Sequence, residues 1–249
     1  MQTWFASPKP ERGPVSFGDK LSSSADAMVS YELITSSSRD DHLLASAESN
    51  RSRFLQFDAP LSLIIQASRY NQRTDNSSHR MKQLYIAQSD IRSLPPALAE
   101  DLPVPELVKH AGKGDIYSSS IWLGLQPTYT PLHRDPNPNI FCQLAGSKAV
   151  RLLRPRAGLS VFQDVRRRLG ASGSSRFRGS EMMEGPEREG LHRAVWVDDH
   201  SDNALREREI WQAVLDPGDA LFIPHGWWHS VRSIGREAEL NASANWWFR

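Results

Sequence analysis

Thr130-Pro-Leu-His133-Arg-Asp135-Pro136 is the stretch whose reading decides the fold. On a β-strand, residues i and i+2 point to the same side, so His133 and Asp135 can reach one ion together. A second piece, Pro224-His-Gly-Trp-Trp-His229-Ser-Val231, brings another imidazole 94 residues beyond Asp135. Only a strand folded back beside the first could deliver it to the same place. Two imidazoles and one carboxylate on one face of a metal leave the opposite face open, which is the ligand set of non-haem Fe(II) oxygenases. Taken alone, His-x-Asp also fits a surface turn rich in Pro and Asn, so the rest of the chain has to decide.

Lys148 follows His133 by fifteen residues, within Asn139-Ile-Phe-Cys-Gln-Leu-Ala-Gly-Ser-Lys148-Ala-Val-Arg-Leu-Leu153. The stretch reads as a strand, a tight Gly146-Ser147 turn and a second strand. Such a hairpin folds Lys148 back towards the strand of His133. A lysine among apolar residues at the start of a strand needs a partner if buried, and a dicarboxylate ligand would supply one. The alternative is an exposed lysine whose head snorkels to water.

Further strands are expected at Leu61–Gln66, Leu84–Gln88, Ser119–Leu125, Ile140–Leu144, Ala149–Leu153, Ala194–Val197, Trp211–Leu215, Ala220–Ile223, His229–Ile234 and Asn241–Phe248. Many short strands separated by turns argue for a β-sandwich or barrel. Asn71 to Arg80 reads as a polar loop. Leu94 to His110 reads as one or two short helices broken by Pro95, Pro96, Pro103 and Pro105.

Residues 1–55 are Ser-rich and are expected to be partly disordered, ahead of a β domain over 56–249. Residues 156–192 read as a polar insertion with a short helix over Val161–Leu169 and a Gly/Ser-rich stretch from Gly170 to Gly185. Arg151 to Ser180 holds eight Arg and one acidic residue, whereas Glu181 to Asp216 holds ten acidic residues and four Arg. That split suits a lid, a partner surface or a solvated loop.

The chain resembles the JmjC family of Fe(II)/2-oxoglutarate oxygenases, within the cupin superfamily. The residues that carry the resemblance are Tyr85-Ile-Ala-Gln88, Trp122, Thr130-Pro-Leu-His133-Arg-Asp135, Asn139, Phe141, Gly146-Ser-Lys148, Gly218-Asp-Ala-Leu-Phe-Ile-Pro224, Trp227-Trp-His229 and Asn245-Trp-Trp247. They span roughly residues 80 to 249 and are most similar to the small JmjC hydroxylases, which modify asparaginyl or arginyl side chains. The resemblance implies a mainly β, double-stranded β-helix (jelly-roll, cupin) fold with a few flanking helices. It implies His133, Asp135 and His229 as Fe(II) ligands, and Lys148 as the partner of the distal carboxylate of 2-oxoglutarate. Tyr85 and Thr130 would add hydroxyl hydrogen bonds there. Asn139 and Asn245 would lie near the metal-chelating end, and Trp122 would line the substrate mouth. With O2, such a site hydroxylates a C–H bond of a protein side chain or small molecule and releases succinate and CO2. On an N-methyl lysine or arginine the same chemistry removes the methyl group. The rivals are a Zn or Mn cupin of another class and a non-catalytic JmjC-like binding module.

Composition narrows the partners. A net charge of +1 gives no global field to recruit nucleic acid or membrane. The sequence has no apolar run long enough to span a bilayer and no basic-then-apolar leader. Cys142 is the only cysteine, which excludes a disulfide framework and a Cys-based zinc site and suits an intracellular (cytoplasmic or nuclear) setting. It is expected to be a small buried residue. Pro224 and Gly226 argue against a zinc-binding helix through His225 and His229, leaving His225 as a turn residue. His42, His79, His110, His192 and His200 stand in polar surroundings and are expected to be solvated. Trp227, Trp228, Trp246 and Trp247 fit either a substrate cage or, for at least half of them, strand packing.

Overall fold

In the computed structural model, residues 4–6, 16–35, 53–111, 113–170, 185–197 and 209–249 are described. The strands expected from Leu84 onwards, except Ala194–Val197, form two antiparallel sheets. A minor ribbon pairs β1 (Phe5–Ala6) with β2 (Ser16–Phe17), followed by α1 (Asp19–Ser23). Then come β3 (Met28–Thr35), β4 (Arg53–Pro60), α2 (Ser62–Arg73), β5 (Leu84–Asp90), α3 (Pro96–Ala99) and α4 (Glu106–His110). The second half holds β6 (Ile116–Leu125), β7 (Tyr129–Arg134), β8 (Asn139–Ala145), β9 (Ser147–Leu153), α5 (Pro155–Arg168) and α6 (Pro186–His192). It closes with β10 (Ile210–Leu215), β11 (Ala220–Ile223), β12 (Trp228–Ile234) and β13 (Leu240–Phe248).

One sheet has the order β10-β9-β12-β7 and the other β11-β8-β13-β6-β5-β3-β4. Most turns of the second half cross from one sheet to the other: β8 and β9 are joined by one residue, Gly146, yet belong to different layers and do not pair as a hairpin. This is the jelly-roll wrapping of a double-stranded β-helix, mainly β with short flanking helices. The inner faces of both sheets enclose the core, with β13 buried along its whole length.

Four expectations are corrected. Leu61–Gln66 is not a strand but the start of α2. Its buried residues Ile64, Ile65, Ala67, Ser68 and Asn71 follow a helical spacing, which a run this short does not distinguish from a strand. The helix runs on to Arg73, into the stretch expected as a loop. Ala194–Val197 is likewise not a strand: Arg193–Val197 continues α6 as a π-helical turn. Trp196 pins that turn, donating from Nε1 to Ser230 Oγ at 2.8 Å, between the guanidinium groups of Arg151 and Arg232. The boundary expected at 55/56 falls inside β4, and β3 pairs with both β4 and β5. Leu21, Val29 and Tyr31 are core residues, so this part of the Ser-rich region belongs to the sheet; residues 7–15 and 36–52 lie outside the described residues.

The fourth correction concerns 156–192. The expected helix is longer, starting at Pro155, and its Phe162 and Val165 are buried in one cluster with Leu191 of α6 and Trp228. A Cβ on Gly158 would stand 2.2–2.4 Å from Trp228, so only glycine lets the helix approach the sheet here. Both ends of the segment are therefore core; its Gly/Ser-rich centre, 171–184, lies outside the described residues, as do 198–208 of the acidic half.

Candidate metal centre

His133 stands near the end of β7, and its register partner on β12 is His229. Antiparallel pairing alone sets the two imidazoles side by side, with ring centroids 4.2 Å apart. Asp135, two residues on, points the same way: its Oδ1 lies 3.7 Å from His133 Nε2 and its Oδ2 lies 3.6 Å from His229 Nε2. The three donors lie within 4.8 Å of one another and are the group of metal-ligating type found among the described residues.

The donor set fits one divalent ion. Atoms bound at roughly 2.1 Å to a common centre lie at most roughly 4.2 Å apart, and both carboxylate–imidazole distances fall inside that limit. His133 Nδ1 donates to the Pro131 carbonyl at 2.8 Å, which fixes the tautomer and leaves Nε2 its lone pair. His229 Nδ1 is buried without a completed hydrogen bond; the Trp227 backbone only favours its protonated form. Burial and the neighbouring His133 pull the His229 pKa down to about 4 despite Asp135, so the ring is neutral and able to ligate at physiological pH. Burial opposes the charge on Asp135. The two imidazoles and the hydrogen bonds from Trp247 and Asn139 nevertheless hold its pKa below the usual carboxylate range.

A relay of side chains orients that carboxylate. Asn245 Nδ2 donates to Asn139 Oδ1 at 2.9 Å, Asn139 Nδ2 donates to Asp135 Oδ2 at 3.1 Å, and Trp247 Nε1 donates to the same oxygen at 2.7 Å. Asn139 is thus one hydrogen bond removed from the donor carboxylate and Asn245 two. The sequence leaves Trp247 between a substrate cage and strand packing, and neither is this bond. Its role was legible in the period of β13, where Ser243, Asn245 and Trp247 alternate and so share a face.

Lys148, the second residue of β9, is 2% exposed. Its Nζ donates to Ser243 Oγ at 2.7 Å, lies 3.5 Å from Tyr85 Oη and sits 5.3 Å from the Phe141 ring centre. No described carboxylate pairs with it, and burial pulls its pKa down to about 7. The tyrosine is placed by its partner in register: a Cβ on Gly124 would stand 2.1 Å from the Tyr85 ring, so the ring lies across bare backbone. Burial pushes the Tyr85 hydroxyl far above its ordinary pKa, which keeps it a neutral donor.

A cavity of about 680 Å³ joins these groups. Its lining includes His133, Asp135, His229, Lys148, Tyr85, Thr130, Asn139, Asn245 and Trp122, every candidate drawn from the sequence, together with Trp247. Tyr117, Gln88, Arg134 and His225 also line it, and none of them was assigned a role beforehand. Gln88 sits at φ 50, within the register shift between Ile86 and Ser89, an uncommon conformation for a residue with a side chain. His225 is an exposed turn residue as expected, and His79 and His110 are exposed. His192 is not solvated: it is half-buried with its ring edge-on to Tyr129 at 4.8 Å. His42 and His200 lie outside the described residues. Cys142 is half-buried. Trp228 and Trp246 are buried in apolar clusters, and half-buried Trp227 meets Trp211 with the rings tilted and 5.5 Å between centres, so three of the four tryptophans pack.

Comparison with known proteins agrees with this geometry. A family model described as a cupin-like domain matches residues 3–249. "Lysine-specific demethylase JMJ30" of Arabidopsis thaliana is 30% identical over 178 residues, covering 70% of this chain and 35% of that protein. "Lysine-specific demethylase 8" of Danio rerio is 30% identical over 166 residues, 66% of this chain and 36% of its own length. "Jumonji C domain-containing protein 5" of Drosophila melanogaster is 28% identical over 165 residues, 66% and 36% respectively. The chain thus aligns with about a third of the length of these relatives.

Proposed function

This chain belongs to the cupin-like JmjC family, and from that premise we propose that it is an Fe(II)- and 2-oxoglutarate-dependent oxygenase. Its reaction is hydroxylation of a C–H bond in a protein side chain or small molecule. The observation that carries this reading is a single cavity shared by the His133, Asp135 and His229 donors and a buried lysine with no described carboxylate partner. A buried charge needs a counter-charge, and a dicarboxylate that reaches from the metal to Lys148 supplies it.

His133, Asp135 and His229 hold Fe(II); the Asn245–Asn139 relay and Trp247 keep the Asp135 carboxylate aimed. Lys148 takes the distal carboxylate, with Tyr85 and Thr130 as hydroxyl donors and Ser243 holding the amine in place. Trp122, beside Tyr85 at 5.9 Å between ring centres, lines the substrate side. When bound, iron and 2-oxoglutarate together supply the oxidising chemistry that turns O2 into a hydroxylating agent, with succinate and CO2 as products.

Lys148 argues against a Zn or Mn cupin without an oxo acid, and the intact donor set argues against a non-catalytic module. A second reading, removal of N-methyl groups, is favoured by two relatives that are named lysine-specific demethylases. A reducing interior suits Fe(II) and the lone cysteine, which supports an intracellular setting for this reaction. No helix among the described residues is long and apolar enough to cross a membrane. The test is succinate release from 2-oxoglutarate by anaerobically purified, Fe(II)-loaded protein, followed by mass spectrometry of candidate peptides and metabolites. A gain of one oxygen supports hydroxylation, loss of a methylene supports demethylation, and no Fe(II)-dependent succinate removes both.

A further inference from the structure

Thr130 and His133 are an odd number of residues apart on β7, so strict strand alternation would send them to opposite faces. Both nevertheless line the cavity. The phase changes between them. His133 pairs with His229 and Arg134 with Trp228, whereas Thr130 pairs with Val231 and Tyr129 with Arg232. Pro131 and Leu132 therefore stand together opposite one residue of β12, Ser230, as in a β-bulge. On either side of it the alternation is regular: Leu132 and Tyr129 pack in the outer cluster with Trp228, while His133 and Thr130 face the cavity with His229 and Val231. Pro131 has no N–H to give the ladder, and a side chain serves the interruption. The fully buried Ser230 donates from Oγ to the Thr130 carbonyl at 2.8 Å and accepts from Trp196 Nε1, also at 2.8 Å. Trp196 belongs to the π-helical turn that continues α6, a kind of irregularity that recurs at functional positions. The Arg151 and Arg232 guanidinium groups lie 4.6 and 4.4 Å from its ring centre and keep it in place.

We propose that Ser230 is a positioning residue for the cosubstrate. Held from outside the sheet by Trp196, it fixes the bulge that turns the Thr130 hydroxyl into the cavity, and so sets the affinity for the distal carboxylate of 2-oxoglutarate. The proposal rests on the reading of Lys148, Tyr85 and Thr130 given above. It also ties α6, outside the barrel, to the cosubstrate end of the cavity through the chain Trp196–Ser230–Thr130. The metal donors depend on Ser230 much less. His133 lies beyond the bulge, with Nδ1 held by the Pro131 carbonyl, and Asp135 is oriented by Asn139 and Trp247. Removing the Ser230 hydroxyl takes a partner from both the Thr130 carbonyl and Trp196 Nε1. Those groups find new partners by moving the chain at the bulge, where the ladder is interrupted, and the Thr130 side chain moves with it.

The test is calorimetry on the full chain, titrated first with Mn(II) and then, once loaded, with 2-oxoglutarate, while circular dichroism checks the fold of each variant. If the loaded wild type does not bind 2-oxoglutarate, the cosubstrate reading falls and this proposal falls with it. Ser230→Ala should weaken 2-oxoglutarate about tenfold and Mn(II) by less than about threefold. Thr130→Val should weaken 2-oxoglutarate by itself. Adding Ser230→Ala to it should cost no more than about twofold further, because the hydroxyl to be positioned is already gone. A serine that only supports the fold would instead lower the melting temperature and multiply the two losses. If Ser230→Ala does not fold, Trp196→Phe decides. It keeps a ring between the two guanidinium groups, removes Nε1, and should weaken 2-oxoglutarate about threefold in the wild-type background but not in Thr130→Val. In whichever variant folds, unchanged 2-oxoglutarate affinity, equal losses for Mn(II) and 2-oxoglutarate, or losses that multiply with Thr130→Val overturn the proposal and leave the cosubstrate reading standing.

Discussion

Lys148→Met should make the protein more stable while removing its affinity for 2-oxoglutarate. The ammonium is 2% exposed and faces two hydroxyls and an aromatic ring rather than a carboxylate. Burial lowers its pKa from 10.5 to about 7. Both folded and unfolded chains are protonated below pH 7, so the whole penalty is present there. Between 7 and 10.5 the folded chain has shed the proton while the unfolded chain keeps it, and stability rises with pH. Above 10.5 the penalty is gone. An amine that titrates near 7 rather than 10.5 costs the fold about 5 kcal/mol in acid.

Local relaxation and the lost Ser243 hydrogen bond reduce the gain, so the variant should be about 2–4 kcal/mol more stable at pH 7. For a chain of this size that raises the melting temperature by about 5–15 °C. The advantage should roughly halve by pH 9, because the wild type recovers stability there and the variant has nothing to titrate. Chemical denaturation of both proteins at pH 6, 7.5 and 9, with chelator and without 2-oxoglutarate, measures this. Calorimetry on the metal-loaded proteins should show binding of 2-oxoglutarate to the wild type with uptake of about one proton at pH 8.5, since pairing restores the charge. The variant should show no binding. Equal stabilities at every pH would mean that the amine is solvated in the fold, and the reasoning about its partner would fail.

His133→Ala or Asp135→Ala should abolish Mn(II) binding, measured by titration calorimetry, with far-ultraviolet circular dichroism unchanged; unchanged affinity in both would remove the metal assignment. Trp247→Phe deletes the 2.7 Å bond to Asp135 and keeps the packing, so metal affinity should fall about tenfold or more with little change in stability. Gly124→Ala forces a methyl group into the Tyr85 ring and should weaken 2-oxoglutarate binding more than metal binding in the same titrations. Phe162→Ala removes a ring packed 5.2 Å from Trp228 and should cost about 3–5 kcal/mol in urea unfolding. A cost near zero there would return α5 to the status of a passive insertion.

Some of this was readable because strand period is a local property that survives in sequence. His133 and Asp135 share a face by spacing alone, and Gly146 marks the turn before Lys148; the turn joins two sheets and not a hairpin, and Lys148 reaches the site because β9 runs beside β12. The distant His229 needs only one further fact, that β12 runs beside β7, and the paired imidazoles of a metal site imply it. What stayed hidden depended on three-dimensional neighbours. Leu61–Gln66 carries the same apolar run in a helix as in a strand, and only packing under β3 and β5 selects between them. Residues 193–197 look like a strand, but the chain continues the winding of α6 through them, and Ser230, Arg151 and Arg232 capture Trp196. Trp247 illustrates the intermediate case. A tryptophan in a buried strand is packing by default, and Trp228 and Trp246 obey that default. Trp247 differs because it lies two residues beyond Asn245 on the cavity face, where a ring nitrogen needs an acceptor and the Asp135 carboxylate is the one in reach. Alternation therefore ranks side chains for function once one member of the face is known to reach the metal, and it places Ser243 beneath Lys148 by the same step.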